Sequence, residues 1–493
     1  MRFGLWLLLA LLFGARSALA AVAADTTIPT YHAEPDRSGA YVVPGLTWQA
    51  AIRMHRDPAF DGTVEGHIYA QPLFWRPSGE ARGLIIAATE SDVVTALDAE
   101  TGRTVWHVTL GSPVPRSAMP CGNINPLGIT GTPVIDPVAG AIYLDAMVSR
   151  GGTPQHLVFG LRLTDGTVLP GWPVDVQQVL QAQGITFTPR EQNQRSALAL
   201  LDGRVFIAFS GNFGDCGRYR GIVLGVATNP PHPAVAWATT ALKGGIWGPA
   251  GISSDSRALF FATGNTEGAQ QWGDGEGVFR LGPDLSHTTN PRDFFAPTNW
   301  KALDESDADL GGVAPMPIDV PGAHLLLALG KDGDAYLLNR DNLGGIGGQL
   351  AMRRAAGSAI ITAPAALSLQ GRVLVVYPAR RAACPDGSDR GGLAAIAVTG
   401  GAERAGLEPA WCVPLDGRGA PIITVTGTSE NPIVWIAGAE GDDRLHAFRG
   451  DTGQPLWTSP DTITALRHFA TILVAEGRLY IAGDGRVYAF TAR

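Results

Sequence analysis

The sequence lacks several features that mark particular protein classes. Its 493 residues include four cysteines, and neither a CxxC nor a CxxCH spacing occurs. This argues against covalently attached haem and against a four-thiolate zinc site. No basic run stands out, and 37 Lys and Arg residues are set against 45 Asp and Glu residues. That acidic balance argues against nucleic acid or an anionic membrane surface as a partner.

Long apolar runs are missing beyond the N-terminus. There, an arginine precedes the apolar stretch 3–13, and Ala-Leu-Ala follows at 18–20. This order is typical of a secretory signal peptide, so we expect residues 1–20 to be removed. Cleavage after Ala23 or Ala24 and a retained anchor are the alternatives. No later run approaches the roughly 18 apolar residues of a membrane-spanning helix. We therefore expect a periplasmic or secreted protein whose mature chain has no membrane span.

Four cysteines in an exported chain predict disulfides, because exported proteins fold in oxidising compartments. Four cysteines allow three pairings. We favour Cys121 with Cys216 and Cys384 with Cys412, since the second pair lies beside one predicted hairpin unit, Gly391–Leu415.

Glycine and proline are abundant, with 63 and 35 residues spread along the chain, and many of them punctuate a repeated unit. Val94–Trp106 reads VTALDAETGRTVW, in which a short strand, a Thr-Gly turn and a second strand with a tryptophan follow one another. Leu445–Trp457 repeats this order, and Phe159–Trp172 and Ala335–Gly344 are weaker copies. Asp and Thr bond to the turn backbone, and Gly supplies the positive φ. The tryptophan should then pack between neighbouring sheets.

Paired short apolar runs recur along the chain and predict an all-β fold. Their spacing of roughly 45–65 residues is within reach of a four-stranded propeller blade. We count eight units and predict a single eight-bladed β-propeller over residues 45–493, with seven blades as the alternative. Residues 21–44 form an N-terminal segment. The last unit lacks an outer strand, which Leu46–Ala50 could supply to close the ring.

The repeated unit and one longer stretch resemble the PQQ-type β-propellers of the quinoprotein alcohol dehydrogenase-like superfamily. Ile246–Asn265 reads IWGPAGISSDSRALFFATGN and joins a tryptophan to a strand that ends in Gly-Asn. The resemblance implies pyrroloquinoline quinone (PQQ) and a calcium or lanthanide ion at the centre of the propeller. It also implies a soluble, divergent member without a haem domain.

Three residues follow that family's chain order in the first half of the site. The resemblance makes Trp247 the floor beneath the quinone, with a docking tryptophan as the alternative. It makes the amide oxygen of Asn265 a ligand to a hard cation, with a capping role as the alternative. Asp215 lies nearest the place of the family's metal-binding glutamate, although its spacing is off by one and the acid is shorter. A turn aspartate is the alternative there.

The other two residues follow later in the chain. A gapless match gives Asp309 the role of the proton-abstracting base beside the metal. If Asp307 were the base instead, Asp309 would stand where lanthanide-type members carry an extra carboxylate. The resemblance makes Lys331, in Gly-Lys-Asp-Gly, the cation that contacts the quinone carbonyls. A solvated acidic loop and a turn lysine are the alternatives.

One departure from the family concerns the cysteines. Many members carry two adjacent cysteines above the quinone, whereas this chain has only Cys121 in that region. The resemblance predicts an oxidoreductase acting on alcohol-type substrates and passing electrons to a separate acceptor. The alternative function is a non-catalytic propeller that serves as a binding or envelope protein-assembly platform, because a fold does not decide function.

Overall fold

Short β-strands joined by tight turns make up most of the chain, and helix accounts for only 6%. The structure is a computed structural model that describes residues 22–23, 27–77, 79–80, 82–286, 289–401 and 405–492. The predicted signal peptide, residues 1–20, lies outside these residues.

The strands form eight antiparallel sheets, which we number as blades 1 to 8 in chain order. Blade 1 contains Leu73–Trp75, Leu84–Ala88, Val93–Asp98 and Thr104–Thr109. Blade 2 contains Val134–Asp136, Ala141–Arg150, Thr153–Arg162 and Val174–Asp175. Blade 3 contains Gln192–Asn193, Ala199–Leu201, Arg204–Gly211, Ile222–Ala227 and Ala234–Ala238. Blade 4 contains Ser253–Ser254, Leu259–Ala262, Val278–Leu281, Phe294–Ala296 and, added in parallel, Gly345–Ile346.

The second half of the ring repeats this arrangement. Blade 5 contains Met316–Val320, Ala323–Leu329, Asp334–Asn339 and Ala351–Arg354. Blade 6 contains Ala365–Leu369, Arg372–Ala382, Gly391–Thr399 and Gly406–Val413. Blade 7 contains Ile422–Val425, Ile433–Ala437, Leu445–Arg449 and Pro455–Thr458, extended on its inner edge by Ala40–Val42 and Val22–Ala23. Blade 8 contains Ile472–Ala475, Arg478–Gly483, Arg486–Thr491 and His55–Arg56. The helical segments are short: Trp48–Ala51, Arg116–Ala118, Val176–Ala182, Pro189–Glu191, Trp300–Ser306 and Leu310–Gly312.

The prediction of eight blades is therefore confirmed, and the seven-blade alternative is wrong. An N-terminal strand completes blade 8 and closes the ring, as predicted, but it is formed by other residues than those predicted. His55–Arg56 pairs antiparallel with the last strand, so that His55 lies opposite Thr491. Leu46–Ala50 does not supply this strand, because the Thr47 hydroxyl accepts a hydrogen bond from the Ala50 N–H and caps the short helix Trp48–Ala51. A local cap outweighs the apolar pattern of that stretch.

Tryptophans on the outer strands join neighbouring blades, as the repeat predicts. Trp106 of blade 1 donates its indole N–H to the Leu163 carbonyl of blade 2 at 3.0 Å. A Cβ added to Gly166 in that blade's turn would lie 2.7 Å from the Trp106 ring. The turn therefore needs glycine both for its φ of 73° and for the room that the indole takes. Trp411 of blade 6 donates to the Gly450 carbonyl of blade 7 in the same way.

Residues 28–42, which we call the axial segment, run across one end of the central channel and bond to several blades. The carbonyl of Pro29 accepts from Ile135 of blade 2, and that of Ser38 accepts from Ala366 of blade 6. Tyr31 packs within a ring of alanines that lie two or three residues before the innermost strands, namely Ala197, Ala250, Ala314, Ala363 and Ala420. Small side chains are needed here because the innermost strands converge on the axis that Tyr31 fills.

Arg37 anchors the axial segment. Its guanidinium is buried and donates to the carbonyls of Tyr31, Leu198 and Ile252, and to the Thr30 hydroxyl. Leu198 and Ile252 belong to the innermost regions of blades 3 and 4, so one side chain ties the segment to two blades. Burial lowers the pKa of Arg37 to about 10, which still leaves it charged at neutral pH.

Two disulfides are present, and both favoured pairings are confirmed. The Cα atoms of Cys121 and Cys216 are 6.0 Å apart, and those of Cys384 and Cys412 are 5.2 Å apart. Disulfides are compatible with a periplasmic or secreted location. In the part of the chain that the structure describes, no helix is long and apolar enough to cross a membrane.

Replacing Arg37 with alanine should destabilise the protein. The change would strip the buried carbonyls of Tyr31, Leu198 and Ile252 of their donor, at a cost of about 3 kcal/mol or more in unfolding free energy. Arg53→Ala is the matched control, because Arg53 is exposed in the same part of the chain, and it should change stability by less than about 0.5 kcal/mol. Urea unfolding followed by tryptophan fluorescence measures both, and equal stabilities would contradict this anchoring role.

Candidate functional site at the channel mouth

A cavity of about 530 Å³ lies at the end of the channel, and Tyr31 of the axial segment forms part of its wall. All the residues that the sequence predicts for the site line this one cavity: Asp215, Trp247, Asn265, Asp309 and Lys331. They come from blades 3, 4 and 5 and from the connections between them.

Asp309 is the centre of the local hydrogen-bond network. It follows the helix Trp300–Ser306 and is buried, with 4% of its surface exposed. Its Oδ1 accepts the backbone N–H of Asn265 at 2.9 Å, and its Oδ2 accepts the indole N–H of Trp247 at 3.1 Å. Lys331 Nζ lies 2.5 Å from the same Oδ2. One carboxylate therefore fixes the positions of three of the other predicted residues.

Close backbone approach makes this network possible. A Cβ on Gly264 would lie 2.8 Å from Asp309 Oδ1, and a Cβ on Gly311 would lie 2.6 Å from the Gly264 nitrogen. The Gly-Asn end of the blade 4 strand and the Gly-Gly after Asp309 therefore pack backbone against backbone. Larger residues at these glycines would push Asn265 away from the carboxylate.

The charges of this cluster shift one another's pKa. Burial raises the pKa of Asp309, and Lys331 opposes that rise. Burial by itself would lower the pKa of Lys331, but Asp309 and Asp307 outweigh it and raise the value. Lys331 Nζ also lies 2.9 Å from Asp307 Oδ1 and 5.2 Å from the centre of the Trp247 ring. The lysine is therefore a fixed positive charge above the indole.

Asp215 lies at the exposed side of the cavity, in the loop that also holds Cys216. Its Oδ1 accepts the Tyr219 hydroxyl at 2.5 Å. Burial raises the pKa of Tyr219, and the charges of Asp215 and Asp309 raise it further. Tyr219 is therefore bonded to Asp215, and its hydroxyl stays a hydrogen-bond donor at neutral pH.

Four further residues belong to the site and were not predicted from the sequence: Tyr219, Glu276, Arg195 and His468. Glu276 is fully buried beneath Asp309 and accepts the Leu310 N–H at 2.6 Å, and burial together with Asp309 raises its pKa. Arg195 and His468 line the cavity. Each stands two residues before an alanine of the inner ring or its equivalent, Ala197 and Ala470. A search of the sequence for polar residues two positions before these alanines would therefore have found Arg195 and His468.

The metal prediction involves Asp215, Asn265 and Asp309. Within the described residues, no group of three or more His, Cys, Asp or Glu side chains is placed to hold a metal ion. The predicted set offers two carboxylates and one amide, and both carboxylates already accept bonds from protein donors. Its role in metal binding stays a prediction.

No protein-family model and no curated protein sequence matches the chain. Solved structures are similar to it. A quinohemoprotein alcohol dehydrogenase from Pseudomonas putida HK5 is 14% identical with a TM-score of 0.67, covering 94% of this chain and 80% of that chain. One from Comamonas testosteroni is 15% identical with a TM-score of 0.64, covering 94% and 80%. A europium-containing methanol dehydrogenase is 14% identical with a TM-score of 0.62, covering 92% and 89%.

These likenesses define the class of fold. The chain folds as an eight-bladed β-propeller similar to those of these dehydrogenases, and the resemblance read from the sequence is confirmed at the level of the fold. At 14–15% identity the roles of single residues are not carried over by the likeness. Those roles are proposals that depend on the geometry of the cavity.

Replacing Lys331 with methionine should destabilise the protein in a pH-dependent way. Without the ammonium, the pKa of Asp309 in the folded state rises further above its unfolded value. A carboxyl whose pKa is higher in the folded state than in the unfolded state destabilises the fold when it ionises, so its contribution to stability falls as pH increases. We expect a loss of about 1 kcal/mol near pH 5 and about 3 kcal/mol near pH 8. Lys301→Met, at an exposed lysine, is the control, and parallel pH profiles for the two variants would contradict the Lys331–Asp309 pairing.

Proposed function

We propose that the cavity binds a PQQ-type quinone and that the protein is an exported oxidoreductase of alcohol-type substrates. The observation that carries the proposal is the joint position of Trp247, Asp309 and Lys331 around one cavity, with Asp309 bonded to both of the others. A scaffold propeller would have no need to bring an indole, a carboxylate and an ammonium group together at the channel mouth.

The residues present suit such a quinone. A volume of about 530 Å³ is in the range of small-molecule sites. Trp247 offers a flat aromatic surface to a planar ring system. PQQ carries carboxylates, and the cavity supplies positive charge from Lys331 and Arg195. We propose that Trp247 and Lys331 hold the quinone.

The residues suit a resident calcium or lanthanide ion less well. Hard cations take six or more oxygen ligands, whereas Asp309 is already paired with Lys331, and Asp215 is bonded to Tyr219. A cation would have to displace these donors. The proposed roles of Trp247, Asp309 and Lys331 do not require a metal ion, and Ca²⁺ and La³⁺ are separate variables in the binding experiment.

The proposed chemistry uses the chain's own groups. When bound, a quinone of this class supplies the two-electron acceptor that takes hydride from an alcohol carbon. Asp309 is the base that removes the hydroxyl proton, and its raised pKa places it closer to neutral pH, where a general base is effective. Lys331 stabilises negative charge that develops beside it. The alcohol leaves as a carbonyl compound, and the electrons pass on to a separate acceptor.

A second function is favoured by one observation. Three protein donors already engage the Asp309 carboxylate, which is an arrangement that suits a fixed binding site as well as a base. The alternative is therefore a propeller that binds a ligand in this cavity without turning it over, as a binding or envelope-assembly platform would.

Titration of the purified protein with PQQ tests the proposal. We expect binding in the micromolar range or tighter, with quenching of Trp247 fluorescence because the quinone stacks on the indole. Trp247→Ala should weaken binding about tenfold. Trp457→Phe is the control, because Trp457 packs between blades 7 and 8 away from the cavity.

Dye reduction with short alcohols then separates the two functions. Asp309→Asn should abolish reduction while PQQ binding stays within a few fold. Each titration is repeated with added Ca²⁺ or La³⁺, and an affinity unchanged by either ion would argue against the metal role of Asp215, Asn265 and Asp309. No PQQ binding at high micromolar concentration, with or without these ions, would overturn the proposal. Binding without any dye reduction would favour the second function.

A further inference from the structure

The cavity has a second polar region, which we call the His468 wall: Tyr69, Arg195, Glu440 and His468. Tyr69 precedes blade 1 and His468 precedes blade 8, whereas Asp309 and Lys331 belong to the connection into blade 5 and to blade 5 itself. In a closed ring of eight blades, blades 8 and 1 stand opposite blades 4 and 5. A ligand on Trp247 would therefore meet Tyr69 and His468 at its other end, with Arg195 lining the cavity from blade 3.

Arg195 is the cation of the wall. It lies in blade 3, between the strands Gln192–Asn193 and Ala199–Leu201, and it lines the same cavity as Tyr69 and His468. Its positive charge acts on both of these residues. Glu90 and Asp215 attract it, but among the described residues no carboxylate pairs with it and no acceptor bonds to it. Burial lowers its pKa, although a guanidinium remains protonated in proteins. A partly buried, unpaired guanidinium in a cavity wall suits a carboxylate ligand.

His468 adds a neutral acceptor. Its Nδ1 lies 2.5 Å from Glu440 Oε2, and its Nε2 is buried with no hydrogen-bond partner in the described part of the chain. Burial lowers the pKa of His468, so the ring is neutral at pH 7. With the Nδ1 proton donated to Glu440, Nε2 is left as the acceptor. Glu440 is thus a positioning residue that sets the tautomer.

We propose that Arg195 binds a carboxylate of the cavity's ligand, and that His468 Nε2 accepts a hydrogen bond from a hydroxyl or N–H beside that carboxylate. Two sources offer this chemistry. One is the quinone itself, and this arm rests on the proposed function. The other is a 2-hydroxy acid, which binds through the same two groups whether or not a quinone is present.

Calorimetric titration of the full mature chain separates the sources. The first pair of probes is PQQ and its trimethyl ester, which lacks the carboxylate charges. The second pair is lactate and 1,2-propanediol, titrated with and without PQQ. Arg195→Gln should weaken binding of the carboxylate member of the relevant pair by about tenfold or more and leave the neutral member unchanged. Arg218→Gln, an exposed arginine in the loop beside the cavity, should change neither.

A variant that keeps the positive charge controls for misfolding of Arg195→Gln. Arg195→Lys should bind the carboxylate with intermediate affinity, because it retains the charge but loses the planar fork. His468→Phe should weaken lactate binding and leave propionate, which lacks the hydroxyl, unaffected.

The outcomes separate this inference from the proposed function. Arg195-dependent binding of PQQ over its ester assigns the carboxylate to the quinone. Arg195-dependent binding of lactate over propanediol assigns it to a substrate, and if PQQ fails to bind in that experiment, the proposed function falls while this inference stands. Equal affinities of wild type and Arg195→Gln for both acids overturn the inference, as does the absence of binding of either acid to wild type.

Discussion

Convergence of eight sheets on one axis is the constraint on which the rest of the structure depends. Close to the axis the innermost strands leave room only for small side chains. A ring of alanines around Tyr31 meets this requirement. Arg37 secures the axial segment there through carbonyls of two blades. Because the segment closes one end of the channel, the other end becomes a cavity with a floor. His55–Arg56 supplies the short outer strand of blade 8 and so joins the N-terminal part of the chain to its last strand.

The same convergence explains where the chemistry lies. Residues that precede the innermost strands of several blades line the cavity, so residues far apart in sequence share it. Asp309 links blades 4 and 5 through Asn265, Trp247 and Lys331. Burial and neighbouring charge then set their protonation: Lys331 stays charged, whereas His468 is neutral. The cavity thus joins the charged pair of Asp309 and Lys331 on one side to the imidazole of His468 on the other, and the guanidinium of Arg195 lines it from blade 3.

Much of the fold could be predicted from the sequence because its signals are local. The Thr-Gly turns and their tryptophans, such as Gly166 and Trp106, specify a contact between consecutive units, which the structure contains. Both favoured disulfide pairs are present, and the choice of Cys384 with Cys412 followed from the layout of the units. The closing strand could not be predicted in the same way. The apolar stretch at 46–50 looks like a strand, but the Thr47 cap makes it helical, and strand pairing moves to residues 55–56.

The sequence by itself favoured eight blades over seven and one cysteine pairing over two others, and it determined the docking turns and the chain order of the five candidate residues. Each of these depends on neighbours within one or two repeats. Only the tertiary structure decided that Asp309 pairs with Lys331, that Glu276 is buried against the residue after Asp309, and that Arg195 and His468 line one cavity. The physical reason is that convergence of the blades on one axis brings together side chains from separate repeats, and no local propensity or spacing encodes which of them then meet.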